Sequence, residues 1–122
     1  MTILAIDDSS ENLIVIKTVL EDTYELCLAK SGKSALKALE RSKVDLILLD
    51  IQMPEMSGFE LIAELEKQEA YKHIPVIFLT GTIREDIVSQ IRKTSAKDFI
   101  EKPVDAKILK EKVAFFSKHV HQ

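Results

Sequence analysis

Several features of secreted, membrane and nucleic-acid-binding proteins are scarce in this 122-residue chain. It has one cysteine, Cys27, which excludes an internal disulfide. The longest uninterrupted apolar runs, such as Ile3–Ile6, have four residues, far below the roughly 20 that a membrane-spanning helix needs. The net charge is only −3, so no strong overall field attracts the chain to nucleic acid or to an anionic membrane.

What the chain does contain is the composition of one folded domain. Hydrophobic residues make up 46% of it, which is too many for a disordered chain, and the length is too short for two hydrophobic cores. Two aspartates directly follow Ile3–Ile6, unlike in a signal peptide. We therefore expect a single cytoplasmic domain over residues 1–122, with Cys27 buried. The segment His119-Val120-His121 is expected to form a frayed tail.

Short runs rich in Ile, Leu and Val alternate with segments in which apolar residues recur every three or four positions. The alternation predicts five strands and five helices. The predicted strands are Ile3–Ile6, Glu25–Ala29, Val44–Leu49, Val76–Leu79 and Asp98–Ile100. Capping residues mark three helix starts, at Ser9 or Ser10, at Ser31 and at Asp105. The predicted fold class is therefore α/β, with a single doubly wound parallel sheet covered by helices on both faces.

Polar side chains stand where the predicted strands end, at the sheet edge where ligands of such folds bind. Asp7 and Asp8 follow the first strand, Asp50 the third, Thr80 the fourth and Lys102 the fifth. Three neighbouring carboxylates repel one another unless a cation lies between them, and oxygen ligands of this kind suit Mg²⁺. Asp50 is central among the three and precedes a loop, so it is the best candidate for a nucleophile that forms an acyl phosphate.

The motifs around these residues resemble the receiver domain of two-component response regulators. Asp50 lies in LILLDIQMPEMSGFEL, Thr80 in VIFLTG and Lys102-Pro103 in AKDFIEKP, and Asp7-Asp8 follow the first strand. The match extends over almost the whole chain. The resemblance implies a flavodoxin-like fold, with strand order 2-1-3-4-5 and a cis peptide bond between Lys102 and Pro103.

The same resemblance implies a role for each matching residue. Asp50 would accept a phosphoryl group, and Asp8, Asp50 and the Gln52 carbonyl would bind Mg²⁺ while Asp7 acts mainly through water. Lys102 would pair with Asp50 before phosphorylation and with the phosphoryl oxygen afterwards. Thr80 would then move toward that group and let Phe99 swing inward. The sequence departs from the family at Ser95, where glycine is common, and at Phe99, where tyrosine is commoner.

The implied partners are a histidine kinase or phosphotransfer protein and a downstream protein or attached output domain, with a phosphorylation-dependent dimer as a further state. Neither nucleic acid nor membrane is expected to bind this domain directly. The domain would be a signalling switch that catalyses its own phosphorylation and slow dephosphorylation, rather than an enzyme. It would be either a stand-alone receiver or part of a longer regulator.

Two other functions are compatible with parts of the pattern. A Mg²⁺-dependent phosphatase of the haloacid dehalogenase type also uses a nucleophilic Asp, but its second acid, two residues later, is replaced here by Gln52. A flavodoxin-like FMN carrier would need a phosphate-binding loop where Asp7 and Asp8 stand, and these carboxylates would repel a phosphate. The receiver interpretation is therefore preferred.

Overall fold

A computed structural model describes residues 1–119 and contains one five-stranded parallel sheet. The strands have the spatial order β2-β1-β3-β4-β5, so the predicted order is confirmed. Their bounds are β1 Thr2–Ile6, β2 Glu25–Ala29, β3 Leu46–Asp50, β4 Val76–Thr80 and β5 Asp98–Glu101. Because all pairings are parallel, the five carboxyl ends lie at one edge, which we call the carboxyl edge, and the five amino ends lie at the opposite amino edge.

Five helices cover the two faces of the sheet, as the doubly wound prediction requires. Their bounds are α1 Ser10–Leu20, α2 Gly32–Arg41, α3 Gly58–Glu66, α4 Glu85–Arg92 and α5 Ala106–His119. Buried residues of α1 and α5 pack on one face, and those of α2, α3 and α4 pack on the other. Strands β3 and β4 lie inside the sheet, and all their residues are buried, which explains their nearly continuous apolar sequence.

Side-chain caps fix where most helices begin. The Ser9 hydroxyl accepts a hydrogen bond from the backbone N–H of Asn12, so Ser9, one of the two predicted candidates, caps α1. Ser31 caps α2, and Asp105 accepts from the backbone N–H of Ile108 at the start of α5. Helix α4 has no such cap at Arg84 and only one buried residue, so it is the least anchored of the five.

Some strand bounds and the burial of Cys27 differ from the expectations; β1, β4 and β5 are each one residue longer than predicted. The third strand begins at Leu46 rather than Val44, and it extends to Asp50. Cys27 is only half-buried, because β2 is an edge strand and α2 and the sheet cover it incompletely. Of the predicted tail, residue 119 is the last residue of α5, and residues 120 and 121 lie outside the described residues. No helix within residues 1–119 is long and apolar enough to cross a membrane.

Candidate functional site

Three carboxylates meet at the carboxyl edge of the sheet. Asp7 follows β1, Asp50 ends β3, and Asp8 is the exposed residue beside Asp7. One oxygen of each carboxylate lies within 4.8 Å of one oxygen of each of the others. Asp7 is fully buried and Asp50 is only 3% exposed, so two of the three negative charges are largely shielded from water. We call Asp7, Asp8 and Asp50 the carboxylate cluster.

Lys102 is the counter-charge of this cluster. Its Nζ donates a hydrogen bond to Oδ1 of Asp50 at 2.7 Å and lies 3.0 Å from Oδ2 of Asp7. It follows β5, where the backbone N–H of Lys102 donates to the carbonyl of Thr80, and the Lys102–Pro103 bond is cis as expected. The ammonium therefore bridges two strands, and it lies against Asp7 as well as against Asp50.

Asn12 belongs to the same network, although sequence analysis did not identify it. Its side-chain Nδ2 donates to Oδ2 of Asp7 at 3.1 Å, and the backbone N–H of Ser9 donates to Oδ1. With Lys102, the buried Asp7 carboxylate thus has three donors. The sequence feature that could have identified Asn12 is its position in the first turn of α1, the helix that begins just after Asp7 and Asp8. Because both oxygens of Asp7 already contact donors, Asp8 and Asp50 are the carboxylates that are more available to bind a ligand.

The electrostatics of the cluster favour a bound cation. Burial raises the pKa of Asp50 to about 6; the hydrogen bond from Lys102 opposes this rise, and the charges of Asp7 and Asp8 add to it. For Lys102, burial is the largest single influence and works against the charged form, but the hydrogen bonds to Asp50 and Asp7 together with the attraction of their negative charges outweigh it and raise the pKa of Lys102. One ammonium therefore does not neutralise three neighbouring carboxylates, and further positive charge is needed for all of them to be ionised near pH 7.

The loop after β3 is held against Asp50 by a glycine. A Cβ at Gly58 would lie 2.4 Å from the backbone oxygen of Asp50 and 2.9 Å from the Cα of Ile51, so only glycine fits there. The Gly58 N–H donates to the carbonyl of Ile51 at 2.8 Å, and Ser57 caps α3 in a capping box with Glu60. The final glycine of the MPEMSG motif therefore fixes where this loop returns to the sheet.

Thr80 and Phe99 lie on neighbouring strands beside the cluster. The hydroxyl of Thr80 donates to the carbonyl of Thr82 at 3.0 Å and accepts from the Thr82 backbone N–H at 3.1 Å. The hydroxyl is thus engaged within its own loop rather than with Asp50. Phe99 is half-buried against the core on the side of α4. Ser95, the departure from glycine, donates its backbone N–H to the Glu66 carboxylate at 2.7 Å, which ties the turn before β5 to the end of α3.

These residues surround an open cleft of about 270 Å³. Its lining residues include the whole cluster, Gln52, Thr80 and Lys102. Within residues 1–119, Oδ2 of Asp50 accepts no hydrogen bond, and no buried side-chain oxygen is left without a partner. Oδ2 is therefore accessible from the cleft. A set of carboxylate oxygens at a cleft with room for water is the donor set that Mg²⁺ prefers, so the residues present fit that ion.

Sequence comparison finds known proteins that are similar to this chain. Residues 3–114 match the response regulator receiver domain. A probable cyclic di-GMP phosphodiesterase of Vibrio cholerae is 42% identical over 112 residues, and the match covers 92% of this chain. The chain spans only 25% of the length of that relative. The chemotaxis protein CheY of Pseudomonas aeruginosa is 31% identical, and the match covers 93% of each protein.

The fold has close counterparts among solved structures. The chemotaxis protein CheY4 of Vibrio cholerae matches it with a TM-score of 0.89 at 28% sequence identity. The match covers 94% of this chain and 97% of that one. The arrangement of strands and helices is therefore shared over nearly the full length of a CheY protein.

Proposed function

Because this chain belongs to the response regulator receiver domain family, we propose that Asp50 accepts a phosphoryl group in two-component signalling. One observation carries the assignment to Asp50 rather than to Asp7 or Asp8. Asp50 combines a lysine ammonium on Oδ1 with an Oδ2 that faces the cleft. Both oxygens of Asp7 are engaged by donors, and Asp8 has no hydrogen bond to Lys102.

The proposed reaction transfers the phosphoryl group from a phosphohistidine of a histidine kinase or phosphotransfer protein. An oxygen of Asp50 forms the new bond to phosphorus while the P–N bond breaks, and the imidazole leaves with the bonding electron pair and takes a proton from solvent. Lys102 neutralises negative charge on the transferred group, because it already lies 2.7 Å from Asp50. Hydrolysis of the acyl phosphate by water later restores the carboxylate, so the domain acts as a switch rather than as an enzyme.

The proposed cofactor is Mg²⁺, held by Asp8, Asp50 and the backbone carbonyl of Gln52, with Asp7 acting mainly through water. Bound there, the ion would supply positive charge to the cluster and to the phosphoryl oxygens. The hydrogen bonds of Asp7 to Ser9, Asn12 and Lys102 support a positioning role for that residue. These contacts hold the negative charge of Asp7 in a fixed position beside Asp8 and Asp50.

We expect Thr80 and Phe99 to transmit the effect of phosphorylation to the surface of the domain. A phosphoryl group on Asp50 would offer acceptor oxygens that compete with the Thr82 carbonyl for the Thr80 hydroxyl. Movement of Thr80 would then open space for the ring of Phe99 and alter the surface near α4, the helix with a single buried residue. A downstream protein, an attached output domain or a second copy of the domain would recognise that surface. A kinase donor of this kind implies a cytoplasmic location.

The decisive experiment is phosphorylation by acetyl phosphate with Mg²⁺, read by intact-protein mass spectrometry. The parent should gain one phosphoryl group, and Asp50→Asn should gain none, because an amide is a poor nucleophile. Asp22→Asn, which removes an exposed carboxylate between α1 and β2 at the opposite, amino edge of the sheet, is the matched control and should behave like the parent. Equal labelling of Asp50→Asn would refute the assignment of Asp50.

A further inference from the structure

A second and larger cavity lies at the amino edge of the sheet, away from the carboxylate cluster. It has a volume of about 730 Å³, within the range of roughly 300–1,000 Å³ that is typical of small-molecule sites. Five-residue strands separate the two edges by about 16 Å at roughly 3.3 Å per residue. Its apolar wall includes Leu39, Val44, Tyr71, Ile74, Pro75 and Phe116. We call it the amino-edge cavity.

The wall of this cavity comes from elements far apart in the sequence. Leu39 belongs to α2, Tyr71 to the segment between α3 and β4, and Phe116 to α5. Tyr71 and Phe116 are half-buried, so part of the surface of each residue is exposed. The Tyr71 hydroxyl makes no hydrogen bond to another residue within residues 1–119, which leaves a donor for a ligand.

The charged groups around the cavity are mainly basic. Lys43 and Lys97 are exposed lining residues, and neither ammonium pairs with a carboxylate in the described part of the chain. Asp45 is the acidic lining residue, and one of its oxygens already accepts the Thr2 backbone N–H at 2.8 Å. This excess of positive charge contrasts with the net charge of −3 for the whole chain.

We propose that the amino-edge cavity binds a small amphipathic anion, in which an aromatic or alkyl body carries one carboxylate or phosphate group. The body would pack on Tyr71 and the neighbouring apolar wall, and the anionic group would pair with Lys43 and Lys97. A concave apolar pocket with two cations on its rim selects for both parts of such a molecule. This proposal is independent of the phosphorylation of Asp50, because none of these residues lies at the carboxyl edge.

The test compares two probes of equal shape and different charge, naphthalene-2-carboxylate and naphthalene-2-carboxamide. Binding to the parent is followed by backbone amide shifts in ¹⁵N-correlated NMR spectra. The carboxylate should saturate shifts around Tyr71, Ile74 and Lys97, with an affinity about tenfold higher than that of the amide, equivalent to about 1.4 kcal/mol. The double variant Lys43→Gln/Lys97→Gln should bind both probes equally weakly.

The matched control is Lys107→Gln/Lys110→Gln, which removes the same charge from the exposed side of α5 and should keep the preference for the carboxylate. All variants should still be phosphorylated at Asp50. Loss of this phosphorylation in a variant would reveal a folding defect, separately from any change in probe binding. Equal affinity for the two probes, shifts confined to the carboxylate cluster, or no saturable binding would each overturn the proposal. Binding of an acidic peptide without binding of the carboxylate would overturn it too.

Discussion

Gly58 packs so closely on Asp50 that an ideal Cβ at residue 58 would lie 2.4 Å from the Asp50 carbonyl oxygen. The contact joins the first residue of α3 to the last residue of β3. It therefore couples the helix and the loop between residues 50 and 58 to the position of the proposed phosphoacceptor. A side chain here would have to displace backbone atoms, which cannot move aside as a flexible side chain can.

We expect Gly58→Ala to destabilise the protein by about 1–3 kcal/mol, as overpacking does elsewhere, although alanine is the better helix former by about 1 kcal/mol. Urea unfolding measures this loss, and phosphorylation by acetyl phosphate should slow as Asp50 shifts. Gly81→Ala is the control, because a Cβ there meets no atom within 4 Å. Its stability should stay within about 0.5 kcal/mol of the parent. Equal stability of the two variants would contradict the close packing.

The raised pKa of Asp50 predicts a pH-dependent stability without Mg²⁺. In the folded protein this pKa is about 6 rather than 3.8, so the folded state retains a proton that the unfolded chain releases. The free energy of unfolding should therefore fall as the pH rises from about 4 to about 6. At pH 7 the ionised Asp50 lowers the free energy of unfolding by about 3 kcal/mol, because each pKa unit corresponds to about 1.4 kcal/mol.

Asp50→Asn removes this titration, so in metal-free buffer it should be more stable than the parent at pH 7, by up to about 3 kcal/mol. The difference should shrink toward pH 4, and adding Mg²⁺ at pH 7 should stabilise the parent more than the variant. Urea unfolding across the pH range measures all three effects. Parallel stability curves for the two proteins would show that Asp50 does not titrate as stated.

Asp8 is the carboxylate whose removal should separate metal binding from stability. It is exposed, so Asp8→Ala should change the free energy of unfolding by no more than about 0.5 kcal/mol. Removal of a group that only supports a metal ligand weakens metal binding about 10- to 100-fold. Asp8 is proposed as a ligand itself, so its loss should weaken Mg²⁺ binding by at least this much. Calorimetric titration measures the affinity. Glu11→Ala, a nearby exposed acid in α1, should leave it unchanged.

Thr80→Ala should separate phosphorylation from its structural consequence. The variant should still be phosphorylated at Asp50, but amide shifts around Phe99 and residues 83–94 should barely respond. Burial of an aromatic ring contributes about 1.5–3 kcal/mol, enough to change which of two states is populated. Thr80→Ser keeps the hydroxyl and should respond like the parent. A full response in Thr80→Ala would exclude Thr80 from the mechanism.

The sequence was sufficient for the architecture and for placing Asp7, Asp50 and Lys102 at one edge of the sheet. Apolar runs such as Val76–Leu79 identify buried strands, since a strand covered on both faces is apolar throughout. A parallel sheet then brings the ends of all strands to one edge, so Asp7, Asp50 and Lys102 could be grouped before any distance was known. These inferences depend only on local patterns and on the topology that such patterns allow.

Only the tertiary structure decided the energetics of the site and its close contacts. The bond from Asn12 to Asp7, the pKa of Asp50 and the contact of Gly58 with Asp50 each depend on how separate elements approach one another. Differences of about 1 Å decide whether such groups bond, repel or overlap, and apolar periodicity carries no information on that scale. Cys27 was expected to be buried because it lies in an apolar strand, but the structure leaves it half-buried, since burial in the edge strand β2 depends on how completely α2 covers it.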